Sequence, residues 1–205
     1  MSNTPSTPAR KTLLPVALAL CALCLAGLTA CGPTNNVRLL YKPADTSAQP
    51  LLHTPGTAAV AVVRFADKRG KNQLGVRRDG SAFDSDTPVG EWAARSLADE
   101  LERLGLRAGY AENLGQAHAL KPSCIVSGSV EEVWLKQDSY TDMAASMRVT
   151  VNMTKADKHV FTESFNASQQ RTGLPSGTAA EDILLGTMQE IVQPAAQKLR
   201  ARMGQ

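Results

Sequence analysis

The side chains of this 205-residue chain that could ligate a metal ion or act as nucleophiles are its three histidines and four cysteines. His53, His118 and His159 lie far apart in the sequence, and no pair has the short spacing that zinc sites commonly use. The chain has no G-x-S-x-G motif, no G-x-x-x-x-G-K-[ST] phosphate loop and no dinucleotide fingerprint after its first strand. We therefore predict no enzymatic activity, no cofactor and no metal site. The enzymatic alternative is a hydrolase whose nucleophile meets His118 or His159 in the fold.

The cysteines near the N-terminus belong to a segment with a different chemistry. Arg10 and Lys11 precede an uncharged apolar run over residues 13–27, which is the order of a secretory signal. That run is shorter than the roughly 20 residues of a comfortable transmembrane span, so a plain membrane anchor is the weaker interpretation. The segment Leu28-Thr29-Ala30-Cys31 resembles the lipobox of bacterial lipoproteins. This resemblance implies that residues 1–30 are a lipoprotein signal peptide and that Cys31 becomes lipidated; the alternative is an ordinary signal peptide with a chance cysteine.

The residues after Cys31 bear on the destination of the chain. The residue directly after Cys31, the second of the mature chain, is Gly32 and not aspartate, and Pro33 follows it. An aspartate at that second position would resemble an inner-membrane retention signal. We therefore expect the protein on the periplasmic side of the outer membrane. A single acyl chain gives only marginal binding, whereas the two or three chains of a bacterial lipoprotein give a durable membrane anchor.

Removal of the signal changes the charge and the cysteine count. Of the 22 Lys and Arg residues two lie within residues 1–30, which leaves 20 against 19 acidic residues and argues against nucleic-acid binding. Cys124 would then be the only free thiol, so no intramolecular disulfide is expected. Because Cys124 begins the apolar run Cys124-Ile125-Val126, we predict that it is a buried small hydrophobic residue.

The remaining chain indicates a tether followed by one domain. Residues 31–56 are rich in proline and small polar residues and are predicted to form the tether, with a possible short strand over residues 37–41. Residues 57–205 are predicted to form a single domain. A long loop of about twenty residues, over 67–88, follows its first strand. The predicted strands cover residues 58–65, 106–111, 124–136, 145–154 and 160–168, and the predicted helices cover 89–104 and 177–203.

Three local signals support these elements. Thr87 and Pro88 could begin the first helix and Gly105 could end it. The alternation of residues 124–136 slips near Glu131 and Glu132, which could mark a β-bulge. The order of elements predicts an α+β two-layer sandwich, with a mixed, mostly antiparallel sheet of about five strands and two main helices on one face.

Two groups of residues are candidates for partner binding. Asp67, Arg69, Arg77 and Arg78 run from the end of the first strand through the long loop and could bind an anionic partner. The alternative is a solvated loop braced by an Asp67–Arg69 ion pair. Trp134 with Tyr140 could form a contact patch near the sheet edge, because aromatic residues are enriched at interfaces. Trp134 could instead belong to the core.

The segment Val60-Ala61-Val62-Val63-Arg64-Phe65-Ala66-Asp67-Lys68-Arg69 is a strand that ends in D-x-R, and a helix ending in Leu97-Ala98-Asp99-Glu100-Leu101-Glu102-Arg103-Leu104-Gly105 follows it. With the lipobox in front, this order is similar to the YajG-type family of uncharacterised outer-membrane lipoproteins, over most of residues 57–203. The resemblance implies no catalytic residues. We therefore expect a non-catalytic envelope lipoprotein that binds a protein or glycan partner. The alternative is an accessory subunit of a lipid-transport or secretion assembly, which requires an apolar groove between sheet and helices.

Overall fold

The fold is built on one mixed sheet, seen in a computed structural model that describes residues 36–42, 59–155, 158–174 and 176–204. The described residues form eight strands and three helices. The strands are β1 (Ala59–Val63), β2 (Ala66–Asp67), β3 (Gly75–Val76), β4 (Ala82–Phe83), β5 (Arg107–Ala111), β6 (Cys124–Gln137), β7 (Asp142–Lys155) and β8 (Lys158–Thr172). The helices are α1 (Val89–Arg103), α2 (Leu114–Ala119) and α3 (Ala179–Met203).

Strand β6 organises the sheet because it is paired along both edges. On one edge it pairs antiparallel with β7, which pairs antiparallel with β8. On the other edge it pairs in parallel with β1, β2 and β3 in succession as the chain advances beside it. Strand β5 lies outside β1 in parallel, and β4 lies outside β3 in antiparallel orientation.

The two halves of the sheet are buried differently. In β7, Met147, Val149 and Val151 are buried whereas the residues between them reach solvent, as expected of an antiparallel sheet covered on one side. In β1, Val60 and Val62 face the main core, while Ala61 and Val63 face a second small cluster beneath α2. Strand β1 is therefore covered on both faces, which explains why it is apolar throughout.

Helices α1 and α3 pack against each other and against the covered face of the sheet. Helix α1 buries Ala93, Leu97 and Leu101, the stripe expected from helical spacing. It ends at Arg103, and the positive φ of 83° at Gly105 allows the N–H of Leu106 to donate to the carbonyl oxygen of Leu101. Thr87 does not cap α1, because the helix has Pro88 at its N-cap and no side-chain capping bond.

The prediction of about five strands was wrong, because the sheet has eight. The three additional strands, β2, β3 and β4, lie within or at the start of the predicted long loop and have two residues each. Strands this short show no alternation, so periodicity could not reveal them. The two long helices do lie on one face as predicted, whereas α2 packs on the other side of β1.

The predicted bulge in β6 is confirmed. Val130 pairs with Val149 and Glu132 pairs with Arg148, so Glu131 is an extra residue in β6. The bulge keeps Val133 and Leu135 on the covered face beyond this point.

Residues 36–42, which we call the strap, pack against the two long helices. Val37 and Leu39 are buried in the main core. The indole N–H of Trp92 on α1 donates to the carbonyl oxygen of Leu40 at 3.2 Å. The side-chain amide of Gln189 on α3 donates to the carbonyl oxygen of Lys42 at 2.5 Å. The strap lies within the segment assigned to the tether from sequence, so this part of the segment is packed on the domain. The predicted signal peptide, Cys31 and residues 43–56 lie outside the described residues.

Candidate partner-binding surface

The solvent-facing side of strands β6, β7 and β8 carries a groove beside Trp134. The strand register places Trp134 opposite Ser146, and Ser146 opposite Ser168. Because the neighbours across the sheet are small, the indole is left partly exposed beside a groove of about 470 Å³. We call this the aromatic groove; its lining includes Trp134, Lys136, Ala144, Ser146, Ser168 and Gln170.

An ion pair between Glu132 and Arg148, the strand pair next to Trp134 and Ser146, stabilises one wall of the aromatic groove. The hydroxyl of Ser146 donates to the Glu132 carboxylate at 2.6 Å, and Arg148 lies 3.7 Å from the other oxygen of that carboxylate. These contacts orient the Ser146 hydroxyl, so the groove presents a fixed polar group beside an aromatic ring.

A cation from the region before β3 reaches the same tryptophan. The ammonium of Lys71 lies 4.5 Å from the centroid of a Trp134 ring, within the range of a cation–π interaction. Pairing of Gly75 with Leu135 fixes this region beside β6. The short strand β3 is therefore what positions Lys71 at the groove.

Arg78 and Tyr140 form a second cation–aromatic pair. Arg78 lies in the tight turn between β3 and β4, and its guanidinium stands 4.0 Å from the centroid of the Tyr140 ring. Tyr140 lies in the turn between β6 and β7 and is 67% exposed. The structure thus brings together one predicted residue from each of the two candidate groups.

Asp67 and Arg69 bind each other at the end of β2. Arg69 donates from Nε and Nη2 to the two oxygens of the Asp67 carboxylate, at 2.9 and 2.8 Å. The hydrogen bond from the Arg69 side chain lowers the pKa of Asp67 below its ordinary value. The Arg69 side chain is only 6% exposed, so this pair braces the chain and offers little to an external ligand.

Arg77 is also directed into the protein. Its guanidinium stacks 4.5 Å from the ring centroid of Phe83, which is buried. Of the sequence candidates on described residues, Asp67 is exposed but its carboxylate is bound by Arg69, so Arg78, Trp134 and Tyr140 are the ones that offer a side chain to a partner. Cys31 lies outside the described residues.

The sequence did not point to the other groove residues, namely Lys136, Ala144, Ala145, Ser146, Ser168, Gln169 and Gln170. None has a chemical signature by itself. The signal that could have found them is the register of the β6–β7–β8 meander, because the residues opposite Trp134 follow from the turn positions.

The two histidines named for the hydrolase alternative lie in different surroundings. His118 shares a small cavity of about 230 Å³ with Cys124. The Cys124 thiol is buried beside the sulfur of Met203, and burial raises its pKa to about 11, so it stays protonated at neutral pH and is a poor nucleophile. His159 lies 2.6 Å from the hydroxyl of Thr162 on the exposed side of β8.

Two further features of the described residues bear on membrane and metal chemistry. No helix among them combines the length and apolar character needed to cross a membrane. Within the same part of the chain, no three His, Cys, Asp or Glu side chains are grouped so as to hold a metal ion.

No family model matches the chain, and no curated protein matches it. Among solved structures it is similar to protein XCC0632 from Xanthomonas campestris, of the family DUF330, with a TM-score of 0.51 and 13% identity over 84% of this chain and 98% of that one. It is also similar to a PelC dodecamer protein from Paraburkholderia phytofirmans (TM-score 0.45, 17% identity, 73% and 94% covered). A third similar structure is lipoprotein GNA1162 from Neisseria meningitidis (TM-score 0.38, 15% identity, 70% and 99% covered). At 13% identity, the likeness to XCC0632 concerns the fold alone. The YajG-type resemblance stays a prediction.

Proposed function

We propose that this protein is a non-catalytic lipoprotein of the bacterial cell envelope, held on the periplasmic side of the outer membrane by lipid on Cys31. In this proposal the folded domain binds a partner through the aromatic groove. The observation that carries the proposal is the groove itself: on an open sheet face, a partly exposed indole lies beside the Ser146 hydroxyl held by Glu132, the Lys71 ammonium and the polar side chains of β8.

The chemistry of the groove favours a glycan over a protein partner. A sugar ring has an apolar face that can lie on an indole and hydroxyls that exchange hydrogen bonds with Ser146, Ser168 and Gln170. A stable protein interface needs a well-packed apolar centre, whereas the side chains around Trp134 are small or polar. The periplasm offers peptidoglycan as an abundant glycan.

Sedimentation with purified peptidoglycan sacculi tests the groove. We expect Trp134→Ala to lower the affinity for the sacculi by at least about fivefold, because loss of a central aromatic contact commonly costs more than about 1 kcal/mol. Trp134→Phe should retain part of the binding, since it keeps a ring.

The control is Val160→Ala, an exposed apolar residue near the start of β8 and remote from the groove. Equal sedimentation of the wild type, Trp134→Ala and Val160→Ala would reject the groove as a glycan site. Recovery of one envelope protein by crosslinking, lost in Trp134→Ala, would instead favour a protein partner.

The lipid-transport alternative requires an apolar groove between the sheet and the helices. In the described part of the chain, that space is filled by a continuous cluster of buried side chains from the sheet, α1, α3 and the strap. Leu101, Met147, Leu184 and Leu199 are among its fully buried members. The packing therefore does not support lipid binding at that position.

A further inference from the structure

Three chain segments meet at one end of the sheet, and two of them expose a large apolar side chain there. They are the β3–β4 turn (77–81), the β6–β7 turn (138–141) and residues 173–174 after β8; we call them the tip. The N–H of Gly173 donates to the carbonyl oxygen of Thr141 at 3.0 Å, and Arg78 stacks on Tyr140. Leu174 is 87% exposed and Tyr140 67% exposed, the two highest values among the large apolar residues of the described chain.

The carboxylates of the tip are engaged by neighbouring side chains. Asp79 accepts hydrogen bonds from the N–H and hydroxyl of Ser81, at 2.9 and 2.7 Å. Asp138 is paired with Lys136, and Asp142 accepts from the hydroxyl of Ser139 at 2.6 Å. The tip therefore exposes two large apolar side chains beside one stacked guanidinium and the carboxylates of Asp79 and Asp138, so no single charge sign dominates it.

The strap shows from which direction the chain reaches the domain. Asn36 forms a parallel bridge with Asp84, and the N–H of Val37 donates to the carbonyl oxygen of Asp84 at 2.7 Å. Because β4 runs antiparallel to β3, and β3 runs parallel to β6, the strap runs opposite to β6 at this point. The chain therefore arrives at Asn36 from the side of the tip.

The length of chain between Cys31 and Asn36 limits how far the domain can stand from a lipid anchor. Five residues span at most about 18 Å when fully extended. Asn36 lies near the level of Trp134 in β6, roughly 15 Å along the strand from the tip. The reach of the chain from Asn36 to Cys31 is thus nearly equal to the distance from Asn36 to the tip. A bilayer that lies on the tip side and holds the lipid of Cys31 is therefore at most a few ångströms beyond the tip.

We infer that the tip is a membrane-contacting surface, with Tyr140 and Leu174 entering the headgroup region of the bilayer and Arg78 beside a lipid phosphate. Tyrosine is enriched at the membrane–water interface, because its ring is amphipathic. A guanidinium stacked on a ring keeps its in-plane N–H groups for phosphate. This inference rests on the proposed lipidation of Cys31. It differs from the prediction of a long tether over residues 31–56, because the domain would lie directly against the membrane.

Quenching by brominated lipids tests this surface in the mature lipidated protein. Tyr140→Cys and Leu174→Cys variants are labelled with an environment-sensitive fluorophore and reconstituted into phosphatidylethanolamine–phosphatidylglycerol vesicles with bromine on the acyl chains. Labelling is directed to the new thiols, because Cys31 would be acylated and Cys124 is buried. The matched control is Val160→Cys, exposed near the other end of the β7–β8 hairpin.

We expect several-fold stronger quenching at positions 140 and 174 than at position 160. Flotation of the protein with the vesicles but equal quenching at all three positions would reject the tip while leaving the anchor intact. Failure of the wild-type protein to float with vesicles would reject the anchor and, with it, the inference.

Discussion

Gly75 is the residue on which the approach of the β3–β4 hairpin to β6 depends. An alanine Cβ at this position would overlap the backbone carbonyl of Leu135, and backbone cannot move aside as a flexible side chain can. The glycine therefore allows the close approach of β3 to β6, the strand that carries Trp134.

We predict that Gly75→Ala destabilises the protein by about 2–3 kcal/mol through overpacking. Urea unfolding measures this, with Gly109→Ala in β5 as the control, because a Cβ there meets no atom within 4 Å. Equal midpoints for the two variants would show that β3 does not pack on β6 this closely in solution.

Single residues also mark where sequence reasoning could succeed. The D-x-R spacing was enough to anticipate the Asp67–Arg69 ion pair, because both partners are local. The apolar run at Cys124 was likewise enough to predict a buried thiol. In contrast, the stacking of Arg77 on Phe83 and of Arg78 on Tyr140 depends on the position of the two-residue strand β3. No pattern in the sequence predicts that position.

At the scale of elements, the strap adds side chains to a core that the rest of the chain leaves incomplete. Leu39 points into the cluster between α1 and α3, while its neighbour Leu40 is 65% exposed. The two leucines differ in burial but not in chemistry, so they form a matched pair.

Leu39→Ala should lower the free energy of unfolding by about 2–4 kcal/mol, the usual cost of truncating a buried leucine. Leu40→Ala should change it by less than about 0.5 kcal/mol, as is usual for exposed sites. Denaturant titration of the full mature chain measures the free energy of unfolding of both variants. If Leu39→Ala proved as neutral as Leu40→Ala, the strap would not be docked in solution.

The elements that could be predicted are those that carry their own periodicity. Helix α1 and strand β7 show clear helical and alternating patterns, and the structure has both near the predicted bounds. Residues 37–41 were predicted as a possible short strand, whereas the strap has only an isolated bridge at Asn36 and its docking on the helices was not predicted. Strands β2–β4 could not be found from periodicity, because they are short and their partner β6 lies far along the chain. The aromatic groove was missed for a different reason, because finding it requires the exact register of β6, β7 and β8 and not only their periodicity.

At the scale of the whole molecule, the proposed membrane attachment depends on one atom, the sulfur of Cys31. Metabolic labelling with an alkyne fatty acid should mark the wild-type protein and Cys124→Ala but not Cys31→Ala. Mass spectrometry should then find a mature chain that begins at residue 31 with acyl groups attached. Persistent label on Cys31→Ala would contradict lipidation at this position.

The bulge at Glu131 has a consequence for how homologous chains can vary in length. Removing Glu131 would restore a regular ladder, with every later residue of β6 still on its own face of the sheet. If the bulge is kept, removing a residue elsewhere in the middle of β6 reverses the faces of the positions beyond it, which exposes Leu135 and buries Lys136. Single-residue deletions in β6 should therefore concentrate at this one position among related sequences.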